Sequence, residues 1–421
     1  MIRHLLKLVW HRKRANALVM IEIFFSFLIV FAVVTMAVSM LRRWNAPLGY
    51  EWRNVWVVNV EQGSTMPHNM SSSHTEPDSP TTIDPKLLDE AQLLDRVSRE
   101  LRGLPQIAGV AADSMPAYSN GTWTSDLGDK SHGTDVTADF ASDDFARVMN
   151  LKVLRGRWFQ PDDEAADFMP IVVDADAANA MFGSIDRAVG EKMPAGGFQA
   201  DPSSPKEMRI VGVIAPYRKA GELSGPETRM AFFRWSVLKP QSPEVGTIVL
   251  AVRPGTPASF EAELSNRLHA IAPDASVRIR RMEQMRRLNL RIRFTPLAVL
   301  TIVALFLICM VGLGLTGVLW QTVTRRMREI GLRRALGASG AGVRAQVMGE
   351  VALLATLAVA LGVVIVLQLP LLGFMQLVTP AEFTAGFVSA LAVIYGITLL
   401  CGAYPSWLAS RIEPAEALRY E

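Results

Sequence analysis

The sequence predicts an α-helical membrane protein with four transmembrane helices and a large α+β extracytoplasmic domain. Three observations carry that reading. Half of the residues are hydrophobic although 20% are charged, and mean hydropathy is +0.22. Four apolar runs, at residues 18–41, 295–320, 347–369 and 383–404, reach the roughly 20 residues that cross a bilayer core. Between the first and second runs lies a polar stretch, residues 42–294, in which alternating and helical apolar periods take turns as in a folded α+β domain.

Residues 1–17 read as a cytoplasmic amphipathic helix. Ile2, Leu5, Leu6, Val9 and Trp10 share one face, and Arg3, His4, Lys7 and His11 the other, the pattern of a helix lying in the headgroup layer. The run at 18–41 is too long for the h-region of a signal peptide and reads as a retained anchor. Arg12, Lys13 and Arg14 hold its start inside.

In the polar region, residues 55–60 (VWVVNV) read as a strand, 86–101 as a helix with Leu87, Leu88, Ala91, Leu94 and Leu101 inward, and 107–112 as a second strand. The pattern recurs as strand 247–252, helix 257–271 and strand 276–280. Two βαβ halves, about 50–118 and 240–281, thus frame an insertion at about 119–239 made mostly of short strands. Residues 61–85 are too rich in Ser, Thr and Pro to bury a core and read as a mobile loop. A helical stalk at 282–294 leads into the second span.

The loop at 321–345 holds Arg325, Arg326, Arg328, Arg333, Arg334 and Arg344, and a short loop of that charge stays cytoplasmic. It reads as a helix from Arg325 to Leu336, with Arg325 and Arg333 each four residues from Glu329 on one surface. Met327 and Ile330 lie on one side and Leu332 and Leu336 on another; Gly337 supplies a C-cap and Ser339 an N-cap for the next helix. The loop at 370–382 has no Lys or Arg and belongs outside, and the tail at 405–421, with Arg411 and Arg419, belongs inside. Arg278, Arg280, Arg281, Arg286, Arg287, Arg291 and Arg293 run against this N-in, C-in topology. The charge rule weakens for long translocated domains, and their side chains can reach outer headgroups.

The residues point away from enzyme chemistry and from nucleic acid. Net charge is only +3, with the basic residues beside the spans, where membrane lipid is the partner. No P-loop, HExxH or nucleophile elbow occurs, so no catalytic residue, cofactor or metal is assigned. Met66, His68, Met70 and His74 are soft-metal donors by type but fall in the low-complexity loop. Cys309 and Cys401 lie inside apolar runs, where packing is their role. Gly312, Gly314 and Gly317 match a dinucleotide fingerprint only in spacing; within a span they let helices approach closely. Glu22 and Glu350 are intramembrane carboxylates expected to be paired, Glu350 with Arg344 or another cytoplasmic arginine.

Taken together, RRMREIGLRRALGAS (325–339), QVMGEVALLATLAVALG (346–362) and the tail AYPSWLASRIEPAEALRYE (403–421) resemble the MacB/FtsX-type ABC transporter permeases. MNLKVLRGRWFQPDD (149–163), NAMFG (179–183) and RIVGVI (209–214) resemble the periplasmic core domain of that family. The resemblance implies a permease of the bacterial inner membrane whose βαβ frame is the "porter" and whose insertion is the "sabre". It implies a dimer, with a second copy or a homologous permease, and a periplasmic adaptor as a further candidate partner. ATP and Mg would sit on a separate cytoplasmic ATPase, since these residues hold no ATPase domain. Arg325, Arg328, Glu329, Ile330, Leu332, Arg333 and Leu336 would form the coupling element. ATP hydrolysis would then move the periplasmic domain and expel an amphiphilic substrate (peptide, antibiotic or lipid-like) by mechanotransmission. A lipoprotein-releasing or peptide-sensing permease, or an FtsX-like regulator of a cell-wall hydrolase, shares the architecture. The chain differs from MacB in lacking a fused ATPase, in carrying Glu22, Phe24, Phe25 and Phe27 in its first span, and in the Ser/Thr/Pro loop.

Overall fold

The computed structural model describes residues 13–62, 85–119, 121–127, 134–194, 207–223, 229–238, 245–337, 339–373 and 378–410. The amphipathic segment 1–12, the low-complexity loop with Met66, His68, Met70 and His74, and the tail with Arg411 and Arg419 lie outside the described residues.

In chain order, helix α1 (Lys13–Trp44) precedes strand β1 (Val55–Gln62), α2 (Pro85–Arg102) and β2 (Ile107–Asp113). Then come β3 (Trp123–Leu127), β4 (Thr134–Ala141), α3 (Phe145–Val148), β5 (Val153–Gly156), β6 (Met169–Asp174), α4 (Ala175–Phe182), α5 (Ile185–Ala188), β7 (Lys192–Pro194), β8 (Glu207–Ile214) and β9 (Met230–Arg234). The chain continues through β10 (Thr247–Val252), α6 (Phe260–Ile271) and β11 (Ala275–Arg281) to α7 (Met282–Arg325), α8 (Met327–Ala335), α9 (Gly340–Val366) and α10 (Pro380–Ser410). Two compact units result, one from residues 45–291 and one from 1–44 with 292–421.

The unit at 45–291 is a mixed α/β domain on one sheet, ordered β11-β1-β10-β2-β4-β9-β6-β8-β5, with β3 on β4 and β7 on β8. The two βαβ halves expected from the sequence are not side by side but interleaved. β10 lies between β1 and β2, and β1 lies between β10 and β11, all antiparallel. Each half is therefore a split βαβ that fills the gap in the other. The alternation of VWVVNV explains why both sheet faces are covered. Trp56, Val58 and Val60 join Ala91, Leu94, Val97 and Leu101 of α2 and Phe260, Leu264 and Leu268 of α6. Val55 and Val57 join a second layer containing Phe145, Tyr217, Phe232, Met282 and Met285. Leu88, expected inward, is instead 37% exposed, and Val97 takes the inner position.

The insertion is continuous with this frame rather than a separate sheet. Its link is narrow: β2 meets β4 at one residue pair, Asp113↔Ala141. Beyond it, β4 and β9 run parallel, as do β6 and β8, while β6 and β9 run antiparallel. Asp174 starts α4 by accepting the Ala177 N–H at 2.8 Å, and Gly183 ends it with φ +71°. That is the left-handed conformation an L side chain disfavours.

The other unit contains helices α1, α9 and α10, α8, and α7 from Ile292 onward. Among the described residues, four helices are long and apolar enough to cross a membrane: Ala17–Trp44, Met282–Arg325, Gly340–Leu372 and Pro380–Leu408. At about 1.5 Å per residue, α7 outlasts an apolar core about 30 Å thick, so much of its length lies beyond any bilayer. Close approach of the spans depends on missing side chains. A Cβ on Gly362 would stand 2.5 Å from the Phe27 ring, and one on Gly386 would fall 2.9 Å from the Thr35 backbone. At one end of this unit Thr379 and Glu382 cap α10 reciprocally, Thr379 N–H donating to Glu382 Oε2 at 3.0 Å and Glu382 N–H to Thr379 Oγ1 at 3.3 Å. Arg43 of α1 lies 3.7 Å from the same carboxylate.

Candidate functional site

The turn between the second and third spans gathers most of the site residues expected from the sequence. A single helix from Arg325 to Leu336 is not what forms. α7 ends at Arg325, Arg326 is a turn residue, and α8 begins at Met327. Arg326 Nη1 donates to Glu350 Oε1 of α9 at 2.9 Å, with both side chains largely buried (20% and 15% exposed). Glu350 is thus paired with Arg326 and not with Arg344. Arg325 thus falls at the end of α7 and Glu329 in α8. Glu329 instead binds Arg333 within α8 at 2.5 Å, and Arg333 Nη1 donates to Gln346 Oε1 at 2.9 Å. Two charge-assisted contacts therefore fasten the turn and α8 to α9.

Burial divides the apolar residues of α8. Ile330 is 9% exposed and packs with Val323, Val343 and Val347, so it anchors the helix and is not presented to a partner. Leu332 and Leu336, four residues apart, are 54% and 80% exposed. They form one open apolar stripe, with Arg325 and Glu329 also exposed. Arg328 is the second residue of α8. Gly337 leaves the helix with φ +96°, and Ser339 Oγ accepts the Gly342 N–H at 3.2 Å to start α9. A cleft lined by Thr322, Arg326, Glu329, Arg333, Gln346 and Glu350 opens beside the turn. Its arginines are engaged by acids, and beside it α8 presents a charged surface with an apolar stripe.

The glycines of the second span do not act as a set. A Cβ on Gly312 would meet Cys401 Sγ at 3.3 Å, and one on Gly314 would meet Glu22 Oε2 at 2.8 Å. Both pack against spans of the same chain, whereas nothing lies within 4 Å of a Cβ on Gly317. Glu22 Oε1 is buried without a hydrogen-bond partner, and no described residue forms an ion pair with it.

Sequence reading missed three contributors. Arg326 and Gln346 were visible only through what Glu350 and Arg333 need as partners. The third is Arg286, at the domain end of α7. Its Nε donates to Glu222 Oε1 at 2.5 Å and its guanidinium lies 4.5 Å over the Trp52 ring. The Tyr118 hydroxyl donates to Glu222 Oε2 at 3.4 Å. With Met282 and Met285 buried beside it, this contact roots the first turns of α7 in the domain. Its signal was the i, i+3 pair Met282 and Met285 followed at once by an arginine.

Two family models match the chain: the MacB-like periplasmic core domain over residues 17–267 and the FtsX-like permease C-terminal over residues 284–414. The "Macrolide export ATP-binding/permease protein MacB" of Syntrophobacter fumaroxidans is 36% identical over 120 residues, 28% of this chain and 17% of that protein. The protein of the same name from Agrobacterium fabrum is 25% identical over 294 residues, 65% of this chain and 42% of that protein. The chain therefore spans less than half the length of these curated relatives. Among solved structures, the periplasmic region of MacB from Actinobacillus actinomycetemcomitans is similar with TM-score 0.37 and 13% identity, covering 57% of this chain and 93% of that one.

Proposed function

Starting from the fact that the chain belongs to the MacB-like ABC transporter permease family, we propose that it couples a separate cytoplasmic ATPase to movement of its extracytoplasmic domain. In this reading α8 docks on the ATPase through Leu332, Leu336 and the charged residues around them. α7, unbroken from Met282 to Arg325, carries the displacement, and its root at Arg286 and Glu222 passes it to the domain. The four-stranded frame with α2 and α6 corresponds to the porter part and strands β3 to β9 to the sabre part. The chain sits in the bacterial inner membrane with both termini inside and the domain outside. It works as a dimer, in which the open side of Gly317 suits a partner span. The substrate is amphiphilic, expelled by mechanotransmission and not passed through the spans, whose buried polar groups are few and scattered.

The observation that carries this reading is the split character of α8. One face is anchored by Ile330 and by Arg333 on Gln346, next to the turn held by Arg326 on Glu350, and the other presents Leu332 and Leu336 to a partner. Replacing both leucines with Ala should leave the chain inserted and folded but abolish co-purification of its ATPase and the coupled activity. Retention of the ATPase at wild-type level would reject α8 as the docking element. Ile330→Ala should act differently, lowering stability before it affects docking.

A further inference from the structure

The narrow link in the sheet carries a polar cluster that no motif announces. Asp113 ends β2, Asp139 lies in β4, and both are fully buried. Asp139 Oδ1 is well supplied: it accepts from Ser114 Oγ at 2.5 Å, from Met115 N–H at 3.1 Å and from its neighbour Phe140 N–H at 3.0 Å. Ser114 also stitches the two strands, its N–H donating to the Phe140 carbonyl at 2.9 Å and its Oγ accepting the Phe140 N–H at 3.0 Å. The other oxygens are starved. Neither oxygen of Asp113 nor Oδ2 of Asp139 has a hydrogen-bond donor.

The groups around the pair do not supply one. Lys219, from the segment after β8, brings Nζ to 3.9 Å from Asp139 Oδ2 without a hydrogen bond. The Tyr217 hydroxyl is buried near both aspartates and also lacks a partner. Other charged and titratable groups of the packed elements are directed elsewhere. Arg218 donates to the carbonyls of Ala46 at 3.1 Å and Glu222 at 2.6 Å. Arg286 and Tyr118 both donate to Glu222, and the Tyr50 hydroxyl donates to the Arg218 carbonyl at 3.2 Å. Two enclosed carboxyls thus face a single amine.

We propose that Asp113 and Asp139 form a proton-binding site at the joint between the two halves of the sheet, one proton being held between their carboxyls at neutral pH, and that its loss loosens the joint. The proton provides the missing donor, since a protonated carboxyl donates to its ionised neighbour. Burial and the repulsion between the two groups push the Asp113 carboxyl well above the usual range, and burial raises Asp139 as well. The sign follows from linkage. A carboxyl raised in the folded state contributes its full stability below its unfolded value of about 4, and that contribution is lost as pH rises through the folded value. The joint is therefore firm in acid and weakens toward alkaline pH. This holds whether or not the chain couples to an ATPase.

The test uses the full chain in detergent, followed from about pH 5 to about pH 9 by infrared absorption of protonated carboxyl groups and by hydrogen exchange of β2 and β4. The wild type should show a protonated-carboxyl band at neutral pH that titrates away as protection of the two strands, taken relative to the base-catalysed intrinsic amide rate, falls. Asp113→Asn, which mimics the protonated form, should lose that band component and the alkaline fall in protection. Lys219→Met, which removes the facing amine, should move the midpoint upward by about one pH unit or more. Asp174→Asn removes the signal of another buried carboxyl and should leave both responses in place. No band in the wild type, or the same band in Asp113→Asn and Asp139→Asn, overturns the proposal. If the asparagine variants do not fold, a midpoint in Lys219→Met that is unchanged or lower overturns it equally.

Discussion

Removing Arg326 should cost far more than its position in a surface turn suggests. Its guanidinium is 20% exposed and binds a Glu350 carboxylate that is 15% exposed, at 2.9 Å. One-sided loss from a buried ion pair costs about 3–5 kcal/mol, because the surviving charge is left without a partner. Residual exposure of both groups scales this down to about 2–3 kcal/mol for Arg326→Met. Replacing both residues at once, with Arg326→Met and Glu350→Leu, strands no charge and should cost about 1 kcal/mol or less. Glu350→Leu strands Arg326 in the same way and should cost about as much, so the double-mutant cycle should return a coupling of about 3 kcal/mol or more. Unfolding of the full chain in mixed micelles, with detergent composition as the denaturant, gives the four free energies. If the single substitutions simply add, the pair does not hold the turn against α9 and the account of how α8 is fixed fails.

The remaining expectations concern the spans, a helix cap and the topology. Gly314→Leu should destabilise the monomer by about 1–3 kcal/mol, because its Cβ would already stand 2.8 Å from Glu22 Oε2. Gly317→Leu should leave monomer stability unchanged and lower the dimer fraction in crosslinking or native mass measurements. Burial pushes the Asp174 carboxyl up to about 7, against the pull of backbone donors from Ala177, Met230 and Tyr217. Its contribution to stability is thus lost as pH rises through that value, and Asp174→Asn should flatten the loss in melting curves taken across neutral pH. Asp174→Ala should cost a further 0.5–2 kcal/mol or about that, through loss of the α4 cap. In a background without Cys309 and Cys401, a cysteine at exposed Ser276 should react with an impermeant maleimide once the outer membrane is opened. One at exposed Ser339 should react only after inner-membrane lysis, and the reverse order would reject the proposed orientation.

The parts of the fold with a strong period were legible. The strands at 55–60, 107–112 and 247–252 correspond to β1, β2 and β10 with ends shifted by a few residues, and the four apolar runs fall on α1, α7, α9 and α10, of which α7 starts well before its run, at Met282, and α9 at Gly340. What was not legible depends on distant partners. TDVTADFA, which forms β4, holds two aspartates in eight residues and is depleted in strand-forming character. It becomes a strand because β3 and β9 flank it and Ser114 and Met115 satisfy Asp139. The interruption at Arg326 has no Gly or Pro to announce it; the pull of Glu350, 24 residues away, is visible only in three dimensions. In the candidate site the residue types were readable, but not which face of α8 would be open. Ile330 and Leu332 look equivalent in sequence, and only the packing of Val323, Val343 and Val347 separates them. Asp113, Asp139 and Lys219 are scattered along the chain, so no local pattern joins them.

Interleaving of the frame has a consequence for how the domain comes to exist. Among the described residues β1 pairs only with β10 and β11, Val55 lying opposite Ala251 and Gln62 opposite Ala275. The strands β3 to β9 find each other within residues 123–234, and none of their mutual pairings needs β10. Closing the shorter loops first is entropically cheaper, and contacts of long sequence separation form late. Assembly therefore runs from the inside outward: the inserted part is complete while VWVVNV is still waiting for strands not yet delivered. Until then that segment is an apolar, β-prone stretch with both edges open, the kind that captures other chains. The interval between the emergence of residue 62 and that of residue 281 is thus the window in which this domain depends on chaperone cover.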